Sequence, residues 1–169
     1  MKRPSRVFDL AYLQQNKNPH FTMFAYKKEQ KWIQVSNTDF ISKANQASKI
    51  LIALDVKPDD KVGLISENRI EWNILDFAIQ QIGAVVVGIY PNIALADYEF
   101  ILNDAEIKTC IVSNETLYQK IKGIQPQVPS LNNIYTLDEY DHIPSFQSLA
   151  PTASNVDTKI LEELKKNVT

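Results

Sequence analysis

The sequence predicts an α/β fold, with a mostly parallel sheet of βαβ units that is flanked by helices and preceded by a β-hairpin. Two observations predict it. From residue 61 onward, short β-branched runs alternate with stretches of helical apolar spacing, and the links between them are short. The 169 residues, 44% of them hydrophobic, are enough for one domain with a sizeable core.

The elements before the sheet follow from local patterns. Polar and apolar residues alternate beside a charged turn at 27–30, which is typical of a hairpin. Ser36, followed by Asp39, is typical of a helix N-terminus, because its side-chain oxygen can accept a free backbone N–H. We expect a short helix over 7–13, strands over Phe21–Tyr26 and Lys31–Val35, and a helix over Ser36–Leu54.

The predicted sheet begins at Lys61. Its second strand is a continuous β-branched run, Ala84–Tyr90, which is typical of a strand covered on both faces. The helix before this run is apolar on most sides and ends at Gly83, as expected of a buried helix with a glycine stop. The complete set is four strands at 61–66, 84–90, 109–113 and 132–137 and three helices at 68–82, 94–104 and 115–122.

These elements divide the chain into three segments. Residues 1–35 form an N-terminal segment with the hairpin, and residues 36–137 form the α/β subdomain. Residues 138–169 are predicted to be a linker with one short helix, Thr158–Lys166, because Pro, Ser and Thr interrupt the periodic pattern.

Composition argues against several classes of function. The net charge of −2 gives no field that would attract nucleic acid. The four glycines form neither common phosphate-binding glycine motif, and the single Cys110 excludes an internal disulfide and a cysteine-based zinc site. His20 and His142 lie far apart in the sequence and are expected at the surface. There is no apolar run of about 18 residues and no signal sequence, so we expect a cytoplasmic protein without a transmembrane segment.

Three strand ends are candidate binding positions, because ligands of open α/β sheets lie at the carboxyl ends of the strands. They are Ser66–Arg69, Tyr90–Asn92 and Ser113–Asn114. At the first, the helix N-terminus could hold an anion, but Ser66 or Asn68 can equally cap the helix with Arg69 in solvent. At the second, Tyr90 could stack on a ligand or only cover the core. At the third, Asn114 is expected to cap a helix.

Three further residues are expected to have no chemical role. Cys110 lies within an apolar strand and no histidine can be placed beside it, so an inert, buried thiol is predicted. Lys165 and Lys166 are expected to be solvated at the end of the last helix.

Several stretches share their order and spacing with one protein family. The most specific is the run Ser66-Glu67-Asn68-Arg69-Ile70-Glu71-Trp72, and the others are 32–36, 51–62, 83–87, 90–91, 98–104 and 111–114. Through them, the segment from Trp32 to Asn114 resembles the N-terminal region of the acyl-CoA synthetases of the adenylate-forming superfamily. It is most similar to long-chain fatty acid–CoA ligases. Asp59 stands where the family usually has glycine, and Asn92-Ile93-Ala94 replaces the usual Thr-x-Ser-Pro; both departures affect turns.

The resemblance implies a partial N-terminal domain of the adenylate-forming fold. The family's reaction activates a fatty acid with ATP and Mg²⁺ to an acyl-adenylate and then transfers the acyl group to CoA, with AMP and diphosphate as products. Its Ser/Thr/Gly-rich phosphate loop, its later acidic ribose contact and its C-terminal lysine have no counterpart in this sequence. We therefore expect an inactive N-terminal fragment with no catalytic residue, no metal ligand and no cofactor of its own.

One site is implied for this chain by the resemblance. Family members place CoA near the strand end that matches Tyr90, Pro91 and Asn92, so these three residues are implied to lie in the vicinity of CoA.

Two alternatives stay open. One is a stand-alone CoA- or nucleotide-binding module without catalysis, and the other is an interaction domain that retains only the sheet. For a fragment, the expected partners are the remainder of the same polypeptide and a second copy, which would bind through an exposed apolar sheet face or an unpaired sheet edge. A membrane-peripheral location of the parent enzyme also stays open, and its acyl-chain length is not encoded in this segment.

Overall fold

A computed structural model describes residues 4–168, and the outer ends of the first and last predicted segments, 1–3 and 169, lie outside the described residues. An antiparallel hairpin of β1 (Thr22–Lys28) and β2 (Lys31–Ser36) precedes a four-stranded parallel sheet. The strands of this sheet are β3 (Lys61–Ile65), β4 (Val85–Ile89), β5 (Thr109–Val112) and β6 (Asn133–Thr136), in the spatial order β4-β3-β5-β6. The predicted fold class is confirmed.

The helices lie close to their predicted positions. Within the described residues they are α1 (Val7–Lys17), α2 (Asn37–Ala53), α3 (Ile70–Gln81), α4 (Leu95–Asp104), α5 (Glu115–Ile124), α6 (Ala150–Ala153) and α7 (Thr158–Asn167). The predicted cap of α2 is confirmed, because Ser36 Oγ accepts a hydrogen bond from the Asp39 N–H at 3.1 Å. α6 lies in the stretch predicted as a linker, with Pro151 in its first turn, where no backbone N–H is required.

The sheet separates two hydrophobic cores, since alternate side chains of a strand point to opposite faces. On β3, Val62 and Leu64 join the core formed with α1, α2, α3 and α7, whereas Ile65 joins the core under α4 and α5. On β5, Ile111 faces the first core and Cys110 faces the second. The two central strands are therefore covered on both faces.

The prediction that β4 is covered on both faces is wrong. Val85 is 46% exposed, and Gly88 is also exposed. The reason is spatial order: β4 pairs with β3 on one side only and is an edge strand of the sheet. For a fragment, we expected one face of the sheet to be uncovered. β3 and β5 are instead buried on both faces, so the exposed apolar surface of the sheet lies on the edge strand β4.

The amino-terminal edge of the sheet is closed by turns that hydrogen-bond to one another. The Asp59 N–H donates to the Gly83 carbonyl at 2.9 Å, and the Val85 N–H donates to the Asp60 carbonyl at 2.9 Å. Lys108 Nζ lies 2.7 Å from Asp60 Oδ1. Asp59 and Gly83 have φ angles of 68° and 77°, so the predicted glycine stop and the tolerance of aspartate at position 59 are both confirmed.

The prediction that Lys165 is solvated is wrong. Its side chain lies between α7 and α2, where Nζ donates to Asn45 Oδ1 and to Glu162 Oε1, each at 2.9 Å. The ammonium also lies 4.8 Å from the centre of the Tyr12 ring, and the Arg6 guanidinium donates to the Lys165 carbonyl. These contacts join α7 to α1 and α2, whereas Lys166 remains exposed as predicted.

Replacing Lys165 tests this junction. Lys165→Met keeps an unbranched apolar stem but leaves Asn45 and Glu162 without the ammonium donor, so we expect the free energy of unfolding to fall by about 1–2 kcal/mol. The matched control, Lys166→Met, changes an exposed neighbour and should stay within about 0.5 kcal/mol of the parent chain. Urea unfolding monitored by circular dichroism measures both, and equal stabilities of the two variants would contradict the junction.

Cys110 provides a second test of the core. Its side chain is fully buried, and burial raises the pKa of the thiol to about 12. Because the thiolate is the reactive form, we expect almost no reaction with Ellman's reagent at about pH 8 in the folded chain, and one reactive thiol per chain in denaturant. Stoichiometric reaction of the native protein within minutes would show that this core opens readily.

Candidate functional site

The carboxyl ends of β3 and β5 form the switch point of the sheet. The chain passes from β3 to β4 through α3, which packs on the first core, and then reaches β5 and β6 through α4 and α5, which pack on the second core. The helices that follow β3 and β5 therefore lie on opposite faces of the sheet, and open α/β sheets bind ligands near such a switch point.

The structure brings two of the three predicted strand ends into one cleft. Tyr90, Pro91 and Asn92 follow β4 and line an open cleft of about 760 Å³. The other lining residues come from the end of β3, from α3 and from β4 itself, and are Ser66, Glu67, Asn68, Trp72, Gly88 and Ile89. Tyr90 is 79% exposed, so its ring is available to a ligand, while its carbonyl accepts a hydrogen bond from the Tyr98 hydroxyl at 3.0 Å.

Trp72 and Gly88 are cleft residues that the sequence analysis did not assign to a site. A Cβ atom at position 88 would lie 3.3 Å from Trp72 Cζ2, so glycine here allows the indole to approach the strand closely. The signal that could have found Trp72 is its place in the run Ser66–Trp72, four residues after Asn68 on the first turn of α3. The Trp72 indole and the exposed Tyr90 phenol therefore both line the cleft.

Glu67 supplies the charge of the cleft. A hydrogen bond from the Ser113 side chain is the main cause that holds the pKa of the Glu67 carboxyl below its ordinary value, so it is ionised at neutral pH. The Asn114 amide also approaches, with Nδ2 at 3.5 Å from Glu67 Oε1. Asn114 caps α5 as predicted, because its Oδ1 accepts from the Leu117 N–H at 3.1 Å. The third predicted strand end, Ser113–Asn114, therefore contacts Glu67 and does not itself line the cleft.

Arg69 has a different role from the one predicted. Neither Ser66 nor Asn68 caps α3, and Arg69, which precedes the helix, is only partly exposed. Its guanidinium donates from Nε to Glu71 Oε2 at 2.8 Å and from Nη1 to Asp138 Oδ1 at 2.9 Å. Burial disfavours its charge, but these two carboxylates outweigh burial and raise the pKa of Arg69. Through Asp138, Arg69 links the end of β3 to the end of β6. Because two carboxylates already neutralise its charge, Arg69 is not free to hold an anion.

The two histidines lie at the surface of the protein. His142 is exposed as predicted, and its Nε2 lies 2.9 Å from Glu115 Oε1 at the surface. His20 is also exposed. Among residues 4–168, no three His, Cys, Asp or Glu side chains lie close enough to hold a metal ion. None of the described helices combines the length and the apolar character needed to span a bilayer. The cleft can bind through aromatic surface, amides and one carboxylate.

Comparison with curated proteins gives one consistent group of relatives. The chain is 26% identical over 128 residues to long-chain-fatty-acid–CoA ligase FadD15 of Mycobacterium bovis, which covers 76% of this chain and 21% of that protein. It is 31% identical over 107 residues to fatty acyl-CoA synthetase B of Dictyostelium discoideum, covering 63% of this chain and 16% of that protein. The chain therefore spans about a fifth of the length of these relatives.

Solved structures show the same fold at lower identity. A putative long-chain-fatty-acid CoA ligase from Rhodopseudomonas palustris superposes with a TM-score of 0.75 at 20% identity, over 90% of this chain and 36% of that one. The anthranilate CoA ligase AuaEII, solved with anthranoyl-AMP, superposes with a TM-score of 0.74 at 24% identity, over 89% of this chain and 29% of that one. A family model described as AMP-binding enzyme matches residues 12–166. The chain belongs to the AMP-binding enzyme family, and its curated relatives are long-chain fatty acid–CoA ligases.

Proposed function

We propose that this chain is the N-terminal part of an AMP-forming long-chain fatty acid–CoA ligase, whose parent reaction converts ATP, a fatty acid and CoA into acyl-CoA, AMP and diphosphate. The observation that carries the proposal is the match to the AMP-binding enzyme family over residues 12–166, together with the names of the curated relatives. The short coverage of those relatives, about a fifth of their length, supports a contribution to the enzyme rather than the whole of it. A cytoplasmic location belongs to the same proposal.

The described residues do not fit ATP or Mg²⁺. The sequence contains neither common glycine-built phosphate cradle, and residues 4–168 hold no cluster of three possible metal ligands. Arg69 is occupied by two carboxylates, and no arginine of residues 4–168 lines the cleft to bind a triphosphate. We therefore derive no adenylation step from this part of the chain, and propose that the remainder of the polypeptide supplies those groups and packs against the open edge of β4.

The cleft fits the neutral parts of CoA better than its phosphates. Ionised Glu67 repels phosphate but can accept hydrogen bonds from amide or amino groups. Trp72 and Tyr90 offer aromatic surface for an adenine ring or a pantetheine chain, and the Asn92 amide can donate and accept. When CoA binds, Tyr90, Pro91 and Asn92 would hold and orient it, while the thiol chemistry takes place outside the described residues.

Calorimetry with CoA tests this site. We expect the purified chain to bind CoA with an affinity between micromolar and millimolar, and Tyr90→Ala to weaken binding about fivefold, which corresponds to about 1 kcal/mol of aromatic contact. The matched control is Phe21→Ala, because Phe21 is also a largely exposed aromatic residue, at 69%, but precedes β1 and does not line the cleft. Equal affinities of the two variants, or no heat with CoA, would refute the CoA site while leaving the family assignment in place.

An activity assay tests the expected lack of catalysis. Because the described residues hold neither a phosphate cradle nor a metal cluster, we expect no diphosphate release from palmitate, ATP and Mg²⁺ by the purified chain. A full-length member of the family, assayed in parallel, provides the positive control. Diphosphate release that depends on palmitate would show that this chain adenylates on its own, and would overturn the proposal that the remainder is required.

A further inference from the structure

A second pocket, of about 240 Å³, lies between α2, α3, the hairpin and the segment that follows β6. Its buried lining residues are all apolar: Ala47, Ile50, Ile70, Ile74, Leu75 and Phe146. Its exposed lining residues are all polar: Lys43, Gln46 and Gln147. The pocket therefore changes from an apolar inner end to a polar mouth, which is the arrangement that suits an amphipathic small molecule.

The pocket is separate from the cleft at Tyr90. α3 contributes to both, but Ile70, Ile74 and Leu75 line the pocket, whereas Trp72 lines the cleft. No residue lines both of them. A ligand in the pocket would therefore bind independently of CoA, and its binding does not rest on the function proposed above.

The volume of the pocket limits the length of an apolar chain. An apolar cavity of roughly 150 Å³ is large enough to hold benzene, which has six carbon atoms. By proportion, the pocket accommodates about eight to ten carbon atoms. A longer chain would leave its remaining methylene groups in water, where they gain nothing from burial.

The charge at the mouth favours an anion. Lys43 and Glu71 are the two charged residues among those that line the pocket. Burial raises the pKa of Glu71, but Arg69 and, to a smaller extent, Lys43 lower it below its ordinary value, and Glu71 Oε2 lies 2.8 Å from Arg69 Nε. Among residues 4–168, no salt bridge involves Lys43. Glu71 is thus already paired, and the Lys43 ammonium can pair with a ligand.

We propose that this pocket is an accessory binding site for a monocarboxylate with an unbranched apolar chain of about eight to ten carbons. The chain lies among Ala47, Ile50 and Ile74, and the carboxylate lies at the mouth. There the Lys43 ammonium and the Gln46 amide can both donate hydrogen bonds to it.

A series of saturated carboxylates tests the apolar end. In calorimetric titrations of the purified chain, we expect octanoate to bind with a dissociation constant below about 1 mM. Affinity should rise about threefold to fourfold per methylene from hexanoate to octanoate, and by less than about twofold in total from decanoate to tetradecanoate. Nonspecific adsorption to apolar surface would keep rising with chain length. A series without a plateau, or no binding by any member, would overturn the proposal.

Replacing Lys43 tests the mouth. Lys43→Gln removes the charge, so we expect it to weaken octanoate about threefold to fivefold, to leave octanol unchanged and to strengthen octylammonium. The matched control is Lys120→Gln, which makes the same change at an exposed position of α5 that does not line the pocket. Equal effects of the two substitutions on octanoate, or an equal loss of octanoate and octanol, would show that Lys43 does not hold the carboxylate.

Filling the pocket locates the bound chain. Ala47→Leu places a larger apolar side chain on the wall of the pocket and should weaken octanoate and octanol alike, at least about tenfold. Urea unfolding of this variant checks that it still folds, and the two preceding tests decide the matter if it does not. A folded Ala47→Leu variant that binds octanoate as tightly as the parent chain would place the ligand elsewhere and refute the site.

Discussion

The parallel pairing of β3 with β5 is the constraint on which the rest of the structure depends. These two strands are the central pair of the four-stranded sheet, and their side chains contribute to both cores. Parallel strands bury both faces, so α2 and α3 cover this pair on one side and α4 and α5 cover it on the other. The same pairing sends the helices that follow β3 and β5 to opposite faces of the sheet, and the candidate cleft lies beside it, at the carboxyl ends of β3 and β4.

Local sequence patterns were sufficient to predict most of the helices and strands, because each element has its own hydrophobic periodicity and its own capping or turn residues. Ser36 and Asn114 cap helices as their residue types suggest, and Gly83 ends α3 with a left-handed backbone. The β-branched run of β4 was misleading because a run of valines does not reveal whether a strand is central or at an edge. Spatial order is a property of the whole sheet, and a single strand does not encode it.

The errors at the site and at the C-terminal helix have a different origin. Arg69 bonds to Asp138, which lies 69 residues away in the sequence, and Lys165 bonds to Asn45, which lies 120 residues away. No local sequence pattern could predict either pair. A signal for Lys165 was nevertheless present, because Leu161 lies four residues before it and the two share one side of α7. At the cleft, Tyr90–Asn92 were predicted from their place at a strand end and were also implied by family resemblance, while Trp72 and Gly88 required the packing of α3 on β4 to become visible.

The two ends of the sheet differ in how freely they can change in length. At the amino-terminal end, the turns before β3, β4 and β5 hold one another through the Asp59–Gly83, Asp60–Val85 and Asp60–Lys108 contacts, so an inserted residue in one turn would displace the others. At the carboxyl end, backbone hydrogen bonds join the ends of β3, β5 and β6, whereas the loop after β4, Tyr90–Asn92, lines the open cleft. Insertions and deletions among descendants of this fold should therefore accumulate in the loop after β4, where loop length can alter ligand choice while the sheet stays unchanged.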